Sequence, residues 1–260
     1  MFLKVAKYIV IVLFIFHLAH ANERIISLSP NITEILFILG LDSQIVGITK
    51  ECNYPKKINN VNKVGSYGHI NVEQIVLLKP TVVFGMKEGY AMSIKKQLDQ
   101  LNIENHFFDS HNYHDVINII KYLSERFNKD NKDLIAEIDK LFSEKTDQDK
   151  KALFLVNLDP LIAAGKNSFI NDILRCGGFK NYLIDSPVEY PKINIEKLYL
   201  NKPDYILISH NAKNNSIELF KKYLEKLNIN SKVIVANEDI FVRPSYRIVE
   251  ACYFLRELKK

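Results

Sequence analysis

Tryptophan is absent from this 260-residue chain, cysteine occurs three times, and neither sign of charge dominates. Each shortage removes a class of protein. Three cysteines are too few to staple a small extracellular fold, and an odd number leaves at least one unpaired in a monomer. The 35 basic and 30 acidic residues describe a solvated surface; without clustered basic residues they give no argument for nucleic acid. No CxxC pair or Cys/His metal spacing occurs. No GxGxxG turn follows the first strand-like run, so nucleotide use is not expected. His111-Asn112-Tyr113-His114-Asp115 invites a metal-hydrolase reading, yet no HExxH and no GxSxG elbow accompanies it, and an enzyme is not expected. Nor is there a Gly/Ser-rich linker.

Long apolar runs are also missing, with one exception at the start. Lys4 and Lys7 precede an almost unbroken apolar run from Tyr8 to Leu18, and Ala19-His20-Ala21 offers small residues where a signal peptidase cuts. The run is shorter than the roughly 20 residues that span a bilayer. Residues 1–21 are therefore expected to be a cleaved secretory signal, with a destination outside the cytoplasm. Without Lys4 and Lys7 the formal charge falls from +5 to +3. Cys176 and Cys252 both fall in the second half and can pair in an oxidising compartment; the sequence leaves that open. Cys52 is expected to be free, near a loop.

One phrase is written twice. INVEQIVLLKP at 70–80 and INIEKLYLNKP at 193–203 share six of eleven letters without a gap. In each an Asn opens a short apolar stripe at helical spacing, Lys-Pro closes it, and a β-branched or apolar run follows, TVVFG or DYILIS. The unit is a short helix feeding a buried strand, once in each half.

Around these copies strands alternate with helices, the pattern of a parallel sheet covered on both faces. RIISLS is read as a strand. PNITEILFILG is read as a helix begun by Asn31, with Glu34 in the capping-box position and Gly40 at its end. QIVGIT, KPTVVFG and HFFDS are read as further strands. From Tyr113 to Asp149 no strand is convincing, and Leu134, Ile138 and Leu141 recur at helical spacing. A second series follows: KALFLVN, the helix SFINDILRCGG, YILIS, a helix near Ile217–Leu227, SKVIVAN, and a last helix over Tyr246–Lys260. The expected architecture is α/β: an N-terminal lobe over 22–126, a single long interdomain helix over 127–148, and a C-terminal lobe over 149–260, with a ligand cleft between the lobes. Ligands of open parallel sheets sit beyond the C-terminal strand ends, which makes the loops at 29–31, 50–54, 66–69, 86–90, 110–114, 159–166, 188–190, 209–213 and 237–243 the candidate cleft.

RIISLSPNITEILFILG, NYP, INVEQIVLLKPTVV, GKNSFINDILRCGG and FVRPSYRIVEACYFL resemble, in order and over nearly the whole chain after residue 21, the periplasmic binding proteins for cobalamin, haem and ferric siderophores. Those proteins deliver cargo to ABC importers. The resemblance implies two lobes joined by one long helix, small opening motions, a metal chelate as cargo, the permease membrane subunits as partners, and a monomer with no catalytic cofactor. It also implies that one surface glutamate per lobe, here Glu73 and Glu196, docks against arginines of the two membrane subunits. A two-fold channel is best met by a monomer that presents similar acidic features twice. Acids in a first helical turn also favour the helix terminus on their own.

Position by position, the resemblance to the cobalamin-binding members places Tyr67, Met86 and Tyr190 on the aromatic wall of the cleft. Glu51 stands where those members carry a tyrosine, Ile162 where they carry a phenylalanine, and Asp239 and Arg243 at the cleft rim. The missing tryptophan and these smaller or polar replacements weaken an apolar corrin site. His69, Tyr90 and His210 join the cargo candidates. Tyr67, His69, Tyr190 and His210 are candidates for direct metal contact, because phenolate suits ferric iron and imidazole suits haem iron. Haem-binding members carry a Tyr on the Val-Gly loop; here Ser66 intervenes. Arg243 can grip a cargo carboxylate or brace its loop against Asp239. An adhesin or chaperone without small cargo is the alternative class, and it predicts an apolar patch outside the cleft.

Overall fold

The computed structural model describes residues 23–88, 91–209 and 214–260. The expected export segment, Tyr90 and His210 lie outside the described residues. The chain forms two compact units: Met1–Asp109 with Tyr122–Asp130, and Ser110–Lys121 with Asn131–Lys260.

The first unit is built on strands β1 (Ile25–Ser27), β2 (Ile45–Ile48), β3 (Asn62–Lys63), β4 (Gly65–Ser66), β5 (His69–Ile70), β6 (Val82–Met86) and β7 (Asn105–Phe108). Five of them make one sheet in the order β3-β2-β1-β6-β7, every pair parallel. All of β1 and the first four residues of β6 are buried, as required of central strands covered on both faces. Ile26, Val83, Ile94, Leu98 and Phe107 form part of the core beneath the helix Ala91–Gln100. That helix buries Ala91, Ile94 and Leu98, one face at helical spacing. β4 and β5 form a separate antiparallel hairpin.

The second unit holds β8 (Lys150–Leu158), β9 (Leu161–Ala163), β10 (Phe179–Asn181), β11 (Tyr205–Ser209) and β12 (Lys232–Ala236). Its sheet runs β10-β8-β11-β12 in parallel, with β9 folded back antiparallel on β8. The last helix, Ile248–Lys259, buries Ile248, Ala251, Cys252 and Leu255, and a Cys176–Cys252 disulfide ties it to the helix Phe169–Cys176. Cys52 is the free thiol, buried. Three helices end on an asparagine with left-handed backbone, Asn102, Asn128 and Asn228, a stop that asparagine tolerates better than other side-chain-bearing residues.

Three sequence expectations are placed differently. The first helix, Pro30–Ile38, has Ser29 at its N-cap position, and Asn31 and Glu34 lie inside it, buried; the fixed φ of Pro30 suits the first helical position and moves the start two residues earlier than the Asn31 capping box implies. The stretch 127–148 contains the helix Lys132–Ser143, which belongs wholly to the second unit and packs Ile138, Leu141 and Phe142 there, against the helix Phe169–Cys176. The helix shared by the two units is Tyr113–Arg126, residues 113–121 belonging to the second and 122–126 to the first. The short strands β3, β4, β5, β9 and β10 were not anticipated.

The repeated phrase folds as the same unit twice. Asn71 caps the helix Val72–Leu77, its side chain accepting from the Gln74 N–H at 2.9 Å, and β6 follows. In the second copy Asn194 accepts from the Glu196 N–H at 2.9 Å, the helix is Glu196–Leu200, and β11 follows.

Candidate functional site

In the first unit, β1, β2 and β6 run parallel, so Ser29, Glu51 and Met86 emerge at one end of the sheet. The side-chain amide of Asn31 donates to Met86 Sδ at 3.2 Å and ties the first helix to the end of β6. The β4–β5 hairpin supplies Tyr67. Ser66 pairs with His69, which leaves Tyr67-Gly68 as a two-residue turn with Gly68 at φ +92°. Gly65, at φ +135°, has no room for a side chain, since a Cβ would lie 2.3 Å from the His69 carbonyl oxygen. The hairpin thus holds the Tyr67 ring out at 64% exposure. Ser66 occupies the last strand position before the turn, and this puts the phenol at the tip.

Tyr67, Met86, Ser29, Glu88, Ala91 and Phe107 line a hollow of about 40 Å³. A hollow that size admits water or one edge of a ring; sites for cofactor-sized ligands are nearer 300–1,000 Å³. Ala91 and Phe107 belong to it although neither lies in the expected loops; Phe107 reaches it because alternate residues of β7 share a face. Behind the loop end of β2, the Cys52 thiol contacts the hydroxyls of Thr33 at 3.2 Å and Thr49 at 3.3 Å. Burial pushes that thiol above its ordinary range. Lys87 pairs with Asp109 at 2.5 Å.

In the second unit, β8, β11 and β12 end together. Ile162 on β9 bridges Lys192, and the segment that carries Tyr190 is laced onto this edge. The amides of Ala163, Gly165 and Ile193 donate to the carbonyls of Pro191, Glu189 and Leu161 at 3.1, 2.8 and 2.9 Å. The approach demands glycine at 165, where a Cβ would lie 2.1 Å from the Val188 carbonyl oxygen. Tyr190 stays partly exposed. His111 Nδ1 lies 3.2 Å from both carboxylate oxygens of Glu189, so the start of the shared helix is pinned to the Tyr190 segment. Beyond β12, Asn237 accepts from the Asp239 N–H at 3.0 Å, and Asp239 pairs with Arg243 at 2.8 Å. The guanidinium is only 12% exposed, so of the two roles open to Arg243 the bracing contact is formed.

Among the described residues no group of three or more His, Cys, Asp or Glu side chains is placed to hold a metal ion, and no helix is long and apolar enough to cross a membrane. His69 is exposed beside Tyr67, and His114 lies against the Tyr113 ring, centroids 3.9 Å apart. Glu73 and Glu196 are both exposed in the first turn of their helices.

Each of the two parallel α/β units gathers polar and aromatic residues at the C-terminal ends of its strands. The chain belongs to the periplasmic binding protein family, which it matches over residues 25–223. Among its relatives, the vitamin B12-binding protein of Salmonella typhimurium is 29% identical over 239 residues, covering 89% of this chain and 88% of that protein. An ABC transporter substrate-binding protein from Listeria monocytogenes shares 25% identity and superposes with a TM-score of 0.75 over 91% of this chain and 98% of its own. The periplasmic haem-binding protein of Vibrio cholerae, at 19% identity, shares the fold with a TM-score of 0.76 over 91% of this chain and 98% of its own.

Proposed function

We propose that this chain is the cargo receptor of an ABC importer: exported on its first 21 residues, it captures a metal chelate in the periplasm and presents it to the permease. The cargo is a cobalamin, haem or a ferric siderophore complex. The observation that carries the reading is the match to a vitamin B12-binding protein over 89% of this chain. Tyr67 and Met86 in the first unit, and Ile162 and Tyr190 in the second, supply the apolar contacts. Glu51, His69, Asp239 and Arg243 supply the polar ones, with Tyr90 and His210 as further contacts from outside the described residues. The hollow under Tyr67 is too small to enclose a chelate by itself. Of the metal candidates, Tyr67 and His69 share one hairpin; a phenolate there suits ferric iron and an imidazole suits haem. The receptor turns nothing over: the ATPase of the importer supplies the free energy, and binding favours whichever receptor state makes more cargo contacts. Glu73 and Glu196 orient the receptor on the permease. It acts as a monomer.

Titration of the purified chain 22–260 with cyanocobalamin, haemin and a ferric catecholate, followed by tyrosine fluorescence and the visible spectrum, tests this. One of the three should bind with micromolar or tighter affinity. A phenolate or imidazole charge-transfer band would show direct metal contact. Failure of all three to bind overturns the cargo class.

A further inference from the structure

Leu77 and Leu200 are the two most exposed large apolar side chains among the described residues, at 73% and 86%. They occupy the same place in the two copies of the repeated phrase, seventh after Ile70 and seventh after Ile193. The residue before each is also apolar and exposed, Val76 at 44% and Tyr199 at 55%. One place earlier still, Ile75 and Leu198 are buried, at 0% and 1%. Each short helix therefore buries one of these side chains fully in its own unit, with Val72 also packed on the core in the first, and turns two apolar side chains to solvent.

Glu73, Val76 and Leu77 stand at i, i+3 and i+4, as do Glu196, Tyr199 and Leu200. Residues so spaced are neighbours on one helix face. A single exposed leucine needs no explanation. The same acid and apolar pair, exposed at matching positions in two units, does. An exposed acid beside bare apolar surface complements a partner that offers a cation beside an apolar recess, and two such faces on one chain match two equivalent recesses.

Building on the importer reading above, we infer that the docking face is an acid-plus-apolar module written twice, Glu73/Val76/Leu77 and Glu196/Tyr199/Leu200. Its occupant is the pair of membrane subunits of the permease, each receiving one leucine in an apolar recess next to a basic residue. The glutamates orient the encounter and the leucines hold it, because charge at a rim acts mainly on association and buried apolar anchors on dissociation.

The test uses Leu77→Ser, Leu200→Ser and the double variant, beside the pair Glu73→Arg/Glu196→Arg, all in the full mature chain. Three quantities are read: haemin and cyanocobalamin affinity, affinity for the permease–ATPase complex of the same organism in lipid nanodiscs, and chelate uptake by cells lacking their own copy. The leucines are solvent-exposed, so cargo affinity and melting temperature should stay unchanged. Each single Leu→Ser should weaken docking about tenfold, equivalent to about 1.4 kcal/mol, and the double about a hundredfold. Docking within twofold of wild type for the double variant, while the glutamate pair abolishes it, overturns the apolar half and leaves the importer reading standing. If neither set changes docking or uptake, the importer reading itself fails. A concentration-dependent dimer that Leu→Ser dissolves would assign the face to a second copy of this chain and overturn the inference.

Discussion

Gly165→Ala is the sharpest perturbation the second unit offers, because it acts on the Tyr190 segment without touching Tyr190. The added Cβ would stand 2.1 Å from the Val188 carbonyl oxygen and 3.2 Å from that of Glu189. Relief to an ordinary contact moves the Val188 carbonyl by roughly 1 Å, given that packed interiors absorb even one added methyl poorly. That shift disturbs the bonds from Gly165 and Ala163 to Glu189 and Pro191, now 2.8 and 3.1 Å. Two backbone hydrogen bonds at about 1 kcal/mol each, with an overpacking cost of about 1–3 kcal/mol, put the loss at roughly 3–5 kcal/mol. For a domain this size that lowers the melting temperature by about 6–20 °C. Scanning calorimetry measures the stability, and haemin or cyanocobalamin titration measures the consequence for the site. Cargo affinity should fall about tenfold with the melting temperature. Tyr190→Ala, at a partly exposed side chain, should lower affinity alone. A Gly165→Ala protein that melts within about 1 °C of wild type and binds cargo equally well would refute the close approach and, with it, the idea that this edge positions Tyr190.

Other consequences can be checked on the same preparations. Replacing Cys176 and Cys252 by Ser and Ala opens a loop with a sequence separation of 76; chain entropy puts the loss near 4.5 kcal/mol and typical cases at about 2–4, so an unchanged denaturant midpoint would show the crosslink constrains nothing. Cys52 should be silent to a thiol reagent in the folded protein and give one equivalent in guanidinium without reductant, since it is the free cysteine and is buried. Its thiol is pushed by burial above the ordinary 9.0, against hydrogen bonds from Thr33 and Thr49. The unfolded chain therefore loses that proton first: stability is flat below pH 9.0 and declines above it by at most about 1.4 kcal/mol per pH unit. Cys52→Ala should remove the decline between pH 9 and 10, before Tyr113, Tyr122 and Tyr182, each raised by burial above 10.0, contribute in the same direction. Reversing charge at Glu73 and Glu196 together should abolish uptake with cargo affinity intact; loss of cargo binding instead would make them structural.

What the sequence disclosed was local, and what it hid was contact between distant residues. Strand and helix alternation was legible because β1, β6 and β11 are nearly continuous apolar runs bounded by proline or polar residues. Of the strands of two or three residues, β1 sits in a longer strand-like stretch, RIISLS; β3, β9 and β10 carry too few side chains to show a period, and the edge that seats Tyr190 is invisible. The Asn31–Met86 and His111–Glu189 contacts join residues 55 and 78 positions apart, and neither end carries a local signal of the other. The first helix was misplaced by one competing rule: Asn31 with Glu34 three residues later spells a capping box, but Pro30 favours the first helical position more strongly and leaves the N-cap position to Ser29. The apolar stripe at Ile138, Leu141 and Phe142 correctly reported a helix, yet a stripe says only that a face is covered. Here the cover lies inside the second unit.

The two copies of the repeated phrase also differ in a way that separates cap from function. Asn71 reaches the N–H three residues on and caps the helix fully, whereas Asn194 reaches only two residues on and bonds the N–H of Glu196 itself, with its amide 3.4 Å from the Glu196 carboxylate. The first acid thus stands second in its helix and the second stands first, while Leu77 and Leu200 remain exposed in both. If capping alone kept the glutamates in place, this change of register would have released one of them. Asn71→Ala should therefore cost about 1 kcal/mol, the usual loss for a helix cap, and Asn194→Ala less, because its backbone bond reaches only the first N–H of the helix. Equal costs in a urea titration would mean that both copies rely on the same cap. A smaller cost at Asn194 together with a larger fall in docking would show that this asparagine serves to aim Glu196 rather than to hold the fold.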